Sequence, residues 1–107
     1  MRKQLKFLNA ITTLHFASSF KLLSTIVNKK TTVLITDEHV YELHQSKFKG
    51  YHCIVLKSGE AFKTQATVDS VISQLILLQA DRTYTLVGIG GGVVTDITGY
   101  VASIYMR

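Results

Sequence analysis

The sequence predicts an α/β domain: a mostly parallel β-sheet with helices packed on both faces, three layers in all. Three observations carry that expectation. Short apolar runs rich in β-branched residues alternate with segments of helical periodicity. The runs are nearly continuous in apolar character, as strands buried on both faces are. Polar clusters follow three successive runs, at Asp37, at 58–63 and at 90–96. Right-handed crossovers bring such strand ends to one edge, where open α/β sheets bind ligands.

Residues 4–8 (QLKFL) and 12–16 (TLHFA) read as two short extended segments; in the second, Leu14 and Phe16 fall on one side and His15 on the other. Ser18 or Ser19 is placed to cap a helix over residues 20–27, which Lys29 and Lys30 close with the charge that suits a helix C-terminus. The stretch ITTLHFASSF also fits a helix. From Thr31 the pattern sharpens. TTVLIT is a strand ending on Asp37, and residues 38–44 form a short helix with Val40 and Leu43 as its inward face. YHCIVLK at 51–57 is the next strand, followed by the turn Ser58, Gly59, Glu60. Residues 65–79 carry the clearest helical pattern, with Val68, Val71, Ile72, Leu75 and Leu78 at 3.6-residue spacing. Asp81 and Arg82 turn the chain into a strand at 84–89, which three consecutive glycines end. A last helix repeats Val93, Ile97, Tyr100, Val101 and Ile104. It keeps so little polar face that a second domain or a partner subunit is expected to cover it.

A chain of 107 residues, 47% apolar, makes one domain with a modest core. The net charge of +5 is scattered over Arg2, Lys3, Lys6, Lys21, Lys29, Lys30 and beyond, with no aromatic-and-basic stripe. Nucleic-acid binding is therefore not expected, whereas a basic balance suits phosphorylated ligands. The single cysteine, Cys53, lies in an apolar run and reads as a small buried hydrophobe. With no internal disulfide possible, no signal-peptide pattern and no window near the about 18 apolar residues of a membrane span, a cytoplasmic protein is expected.

Strand, glycine turn and helix make a phosphate-cradling layout, because glycine lets the backbone approach an anion and the helix's first-turn N–H groups face it. Gly90, Gly91 and Gly92 match neither generic fingerprint. GxGxxG would need a glycine where Val93 stands, and no Lys-Ser/Thr pair follows for a P-loop. A tight turn with close helix packing remains the alternative. Asp96, placed in the helix's first turn, would complement its dipole or accept from ribose or amide groups. Glu60 and Lys63, three apart, make either a surface ion pair or a ribose acceptor and a phosphate or carbonyl contact. Asp37 stands where an acidic residue faces ribose hydroxyls, and equally where it would cap the following helix. His15, His39, His44 and His52 show no metal-ligand spacing.

The blocks TDEHV (36–40), SGEAFKT (58–64) and ADRTYTLVGIGGGVVTDITGYVASIYMR (80–107) together resemble the N-terminal domain of the 3-dehydroquinate synthase family, with its order TD, GExxK, then GGGVxxDxxGFxAxxxxRG. The match covers residues 31–107 best. The resemblance implies a Rossmann-like, NAD-binding N-terminal domain over 1–107, whose C-terminal metal and substrate domain lies outside this chain. It implies a cytoplasmic enzyme, expected to be a homodimer, that converts the sugar-acid phosphate DAHP to 3-dehydroquinate with loss of phosphate. NAD is used transiently, together with a divalent metal (zinc or cobalt) whose ligands lie in the other domain. By position, Asp37, Glu60, Lys63, Gly91, Gly92, Val93 and Asp96 match NAD contacts, and Arg107 matches an arginine that reaches the substrate phosphate. Thr95 stands where glycine is common, and would either crowd the loop or add a hydroxyl donor; Tyr100 replaces phenylalanine. The isolated chain is expected to bind NAD weakly and to be inactive. Alternative readings are another sugar-phosphate cyclase, such as a deoxy-scyllo-inosose or valiolone synthase, and a stand-alone nucleotide- or anion-binding module.

Overall fold

The computed structural model of the chain describes residues 11–14, 29–81 and 83–105. The expected segment at 4–8, the helix at 20–27 with its serine cap, His15, Phe16, Arg82 and Arg107 lie outside the described residues. Four strands form one sheet: β1 (Ile11–Leu14), β2 (Thr32–Asp37), β3 (His52–Leu56) and β4 (Thr85–Ile89). Their order is β1-β4-β2-β3, and every pairing is parallel. Helix α1 (Glu38–Leu43) links β2 to β3, α2 (Gln65–Leu77) links β3 to β4, and α3 (Gly92–Tyr105) follows β4.

Helices cover both faces. Val33, Ile35, Ile54, Leu56 and Leu86 pack with Val68, Val71 and Leu75 of α2 and with Val94, Ile97 and Val101 of α3. Leu34, Val87 and Ile89 point the other way, against Phe48, Val40 and Tyr41. Alternate residues of β2, β3 and β4 thus feed opposite layers, the period-2 geometry of a sheet buried on both sides.

One expectation of packing is corrected. Leu43 is not on the inward face of α1, being 78% exposed. Tyr41 takes that place, with its ring centroid 5.4 Å from that of Phe48. Six residues give α1 fewer than two turns, so its orientation follows the largest apolar contact available rather than a repeat. Helix α3 buries Val94, Ile97, Thr98, Val101 and Ala102, whereas Tyr100 and Ile104 are 50% and 42% exposed, so this chain covers its apolar surface only in part.

Helix α3 sits unusually close to its strand. A Cβ on Gly88 would stand 2.7 Å from Thr98 Oγ1 and 3.0 Å from Thr98 Cβ, so only glycine allows this approach. The buried Thr98 hydroxyl donates to Val94 O at 2.8 Å, and Thr36 Oγ1 donates to Ile89 O at 2.7 Å across the β2–β4 seam. At its far end α3 is tied down where Tyr105 Oη donates to Ala80 O at 2.7 Å.

Candidate functional site

The register sets Asp37 beside Leu56 and Thr36 beside Ile89, so the segments after β2, β3 and β4 leave the sheet at one edge. The chain runs from β2 outward to β3, then returns past β2 to β4. Connections therefore diverge between β2 and β4, which is the crevice where open α/β sheets take ligands. Asp37 and Gly90 flank it: Asp37 Oδ2 lies 3.5 Å from where a Cβ on Gly90 would be. Of the two readings of Asp37, the helix cap is observed. Its Oδ1 accepts from Val40 N–H at 2.9 Å and caps α1, while Oδ2 is turned to the crevice.

The three glycines differ in kind. Gly90 has φ +154°, and its Cβ would meet Val94 Cγ2 at 3.0 Å and Cβ at 3.2 Å. The fold itself requires glycine there. Gly91 and Gly92 have no positive φ, and nothing lies within 4 Å of their Cβ positions. Neither backbone strain nor packing explains them, and the space above them is open.

Helix α1 is capped by Asp37, and α2 by Thr64, whose Oγ1 accepts from Thr67 N–H at 3.2 Å. Gly91 precedes α3, its carbonyl accepting the first helical bond from Thr95 N–H at 3.1 Å, and has no side chain with which to cap. Val93 is half-buried against the core, leaving its backbone as the part that can face a ligand. The Thr95 hydroxyl is turned away from the loop mouth and donates back to Gly91 O at 3.3 Å and Gly92 O at 3.1 Å.

Asp96 is the fifth residue of α3, not part of its first turn. Helix formation already begins at Gly92, because a glycine preceding a run of apolar residues can still adopt helical backbone. Across the groove, the turn Glu60–Phe62 starts at Gly59 with φ +108° and delivers Lys63 to Asp96. Lys63 Nζ lies 2.9 Å from Asp96 Oδ2 and 3.8 Å from Glu60 Oε1. The hydrogen bond to Asp96, followed by the charges of Asp96 and Glu60, holds the Lys63 ammonium above its ordinary value. The i,i+3 pair expected from spacing is thus the weaker half of a triad. A groove of about 360 Å³ lies here, lined by Val68, Ile97 and Tyr100 and by the polar Lys63, Gln65 and Asp96.

Ser58 was read from the sequence only as part of a turn. Its Oγ is buried without a hydrogen-bond partner among the described residues, and its N–H donates to Glu38 Oε1 at 3.5 Å. A serine in a strand-end turn is too common to signal this; only the burial does. Among the described residues no group of three His, Cys, Asp or Glu could hold a metal. Burial pushes the half-exposed Cys53 thiol up to about 11. No helix of the described residues is long and apolar enough to cross a membrane.

Comparison with known proteins gives a consistent set of likenesses. Residues 53–107 match the family model described as 3-dehydroquinate synthase N-terminal. A 3-dehydroquinate synthase from Campylobacter curvus is 36% identical over 91 residues, covering 79% of this chain and 26% of that protein. This chain therefore spans about a quarter of that relative's length. Among solved structures, 2-epi-5-epi-valiolone synthase from Streptomyces hygroscopicus, with NAD+ and Zn2+ bound, aligns with TM-score 0.69 at 22% identity, over 100% of this chain and 32% of that one. A 2-deoxy-scyllo-inosose synthase complexed with carbaglucose-6-phosphate, NAD+ and Co2+ aligns with TM-score 0.65 at 22% identity, over 98% and 32%. At that identity the two structures speak for the fold alone.

Proposed function

The chain belongs to the 3-dehydroquinate synthase N-terminal family, and from that premise we propose that it is the NAD-binding domain, residues 1–107, of an enzyme that converts DAHP to 3-dehydroquinate and phosphate. The observation that carries this reading is the pair Gly91 and Gly92. The fold has no need of glycine at either position, yet both stand open at the crevice between β2 and β4. Glycine at such a point lets a dinucleotide's diphosphate approach the backbone.

In this reading the N–H groups of Gly92 and Val93 donate to the diphosphate. Asp37 Oδ2 accepts from a ribose hydroxyl, and the orphan Ser58 hydroxyl finds its partner in the ligand. Lys63, now on Asp96, supplies a cation to a phosphate or carbonyl, while Glu60 and Asp96 accept from ribose or amide groups. Arg107 reaches the substrate phosphate. NAD, when bound, supplies a hydride acceptor and donor for one carbon of the substrate. Among the described residues no cluster fits a metal ion; a zinc or cobalt ion would be held by the C-terminal domain of the whole enzyme. The whole enzyme is a cytoplasmic homodimer of the shikimate pathway, and the isolated chain binds NAD weakly and is inactive.

A related sugar-phosphate cyclase activity is the second reading, because a shared fold does not by itself separate the two. The sequence relative, at 36% rather than 22% identity, weighs toward 3-dehydroquinate synthase. The test is a chimera in which this chain replaces the matching quarter of the Campylobacter curvus enzyme. Phosphate release from DAHP, dependent on NAD, is expected. A chimera that folds and binds NAD but leaves DAHP untouched contradicts the assignment.

A further inference from the structure

We propose that Thr95 is a positioning residue whose hydroxyl clamps the two peptide units that present their N–H groups to the diphosphate; this rests on the NAD-binding reading above. The hydroxyl donates to Gly91 O at 3.3 Å and Gly92 O at 3.1 Å, and Thr95 N–H also donates to Gly91 O at 3.1 Å. No peptide bond described is cis. In a planar trans unit, the Gly91 carbonyl and the Gly92 N–H point in opposite directions, as do the Gly92 carbonyl and the Val93 N–H. Holding both carbonyls along the helix therefore aims both N–H groups out of its N-terminal end.

The clamp matters at this point of the chain. Two adjacent glycines form the most freely turning backbone available, and apart from the helix's own backbone nothing lies within 4 Å of either Cβ position. Thr98 makes a similar bond to Val94 O, but it is buried against Gly88, where packing already fixes the helix. Among the described residues, Thr95 is the side chain that applies the bond to the open glycines. Its hydroxyl is spent on its own backbone, so the isosteric change Thr95→Val removes the clamp and leaves the shape.

The experiment compares Thr95→Val and Thr95→Ser with the wild-type chain. NAD and inorganic diphosphate are titrated calorimetrically, and 15N order parameters are measured at Gly92 and Val93. Thr95→Val is expected to lose about three- to tenfold in affinity for both probes, the scale of one net hydrogen bond. Its order parameters at Gly92 and Val93 should fall below the rigid-backbone value of about 0.85. Thr95→Ser, which keeps the hydroxyl, should restore both. Unchanged affinity and order in Thr95→Val, or an equal loss in Thr95→Ser, overturns the proposal. If the wild-type chain binds neither probe, the NAD reading fails, and the order parameters still decide whether the clamp exists.

Discussion

Replacing the three glycines by alanine one at a time separates those the fold needs from those a ligand needs. In Gly90→Ala the new methyl would sit 3.0 Å from Val94 Cγ2 on a backbone at φ +154°. Overpacking and a disfavoured backbone each cost about 1–3 kcal/mol. Since about 1 kcal/mol moves the melting temperature of a domain this size by about 4–8 °C, a drop of at least about 8 °C is expected. In Gly91→Ala the methyl meets nothing within 4 Å, and stability should stay within about 0.5 kcal/mol. Gly92→Ala replaces glycine at the start of a helix and should be neutral or stabilising by up to about 0.5–1 kcal/mol. Affinity should run the opposite way. A methyl on Gly91 or Gly92 fills the space a diphosphate would enter, with a loss of about tenfold or more, equivalent to about 1.4 kcal/mol. Thermal melts and calorimetric NAD titrations of the three variants read both quantities. Wild-type NAD affinity in Gly91→Ala and Gly92→Ala, or a destabilisation matching that of Gly90→Ala, would refute the reasoning.

Gly88→Ala should destabilise by about 1–3 kcal/mol through its clash with Thr98, and adding Thr98→Ala should recover part of that in urea unfolding. Lys63→Met should leave the melting temperature unmoved, because the pair is exposed, while weakening NAD binding. Since the Lys63 value is raised, the Lys63–Asp96 pair is whole below the ordinary lysine value of 10.5 and lost as pH rises through the higher folded value. The titration of Lys63 should thus leave NAD affinity unchanged around neutral pH and lower it in strongly alkaline solution. Cys53, at about 11 against an ordinary 9.0, should react with iodoacetamide at pH 8 about a hundredfold more slowly in the native than in the unfolded chain. Its contribution to stability is present below pH 9 and lost as pH rises toward 11.

The sheet was legible because β-branched runs buried on both faces leave a pattern in composition alone: β2, β3 and β4 fall within one residue of their expected starts. The site edge was legible because Asp37, the 58–63 turn and the glycines each follow a strand. What distance in sequence hides was not legible. Lys63 pairs with Asp96, 33 residues away, and only folding makes them neighbours. Nor can spacing rank Gly90 against Gly91 and Gly92, since the difference is whether Val94 stands over them. Leu43 is outward, with Tyr41 in its place, because a helix of six residues has too few turns for periodicity to outweigh a single aromatic contact. The direction of the Thr95 hydroxyl and the burial of Ser58 Oγ are rotamer and packing facts with no sequence signature.

The central claim, that the open glycines and the crevice beside them receive a dinucleotide, is tested most directly by an amide-resolved NMR titration of NAD into the chain. Saturable shifts concentrated at Gly91, Gly92 and Val93, with smaller ones at Asp37, Ser58 and Lys63, are predicted. No saturable shift, or shifts confined to residues away from this edge such as the outer side of β3, would contradict it.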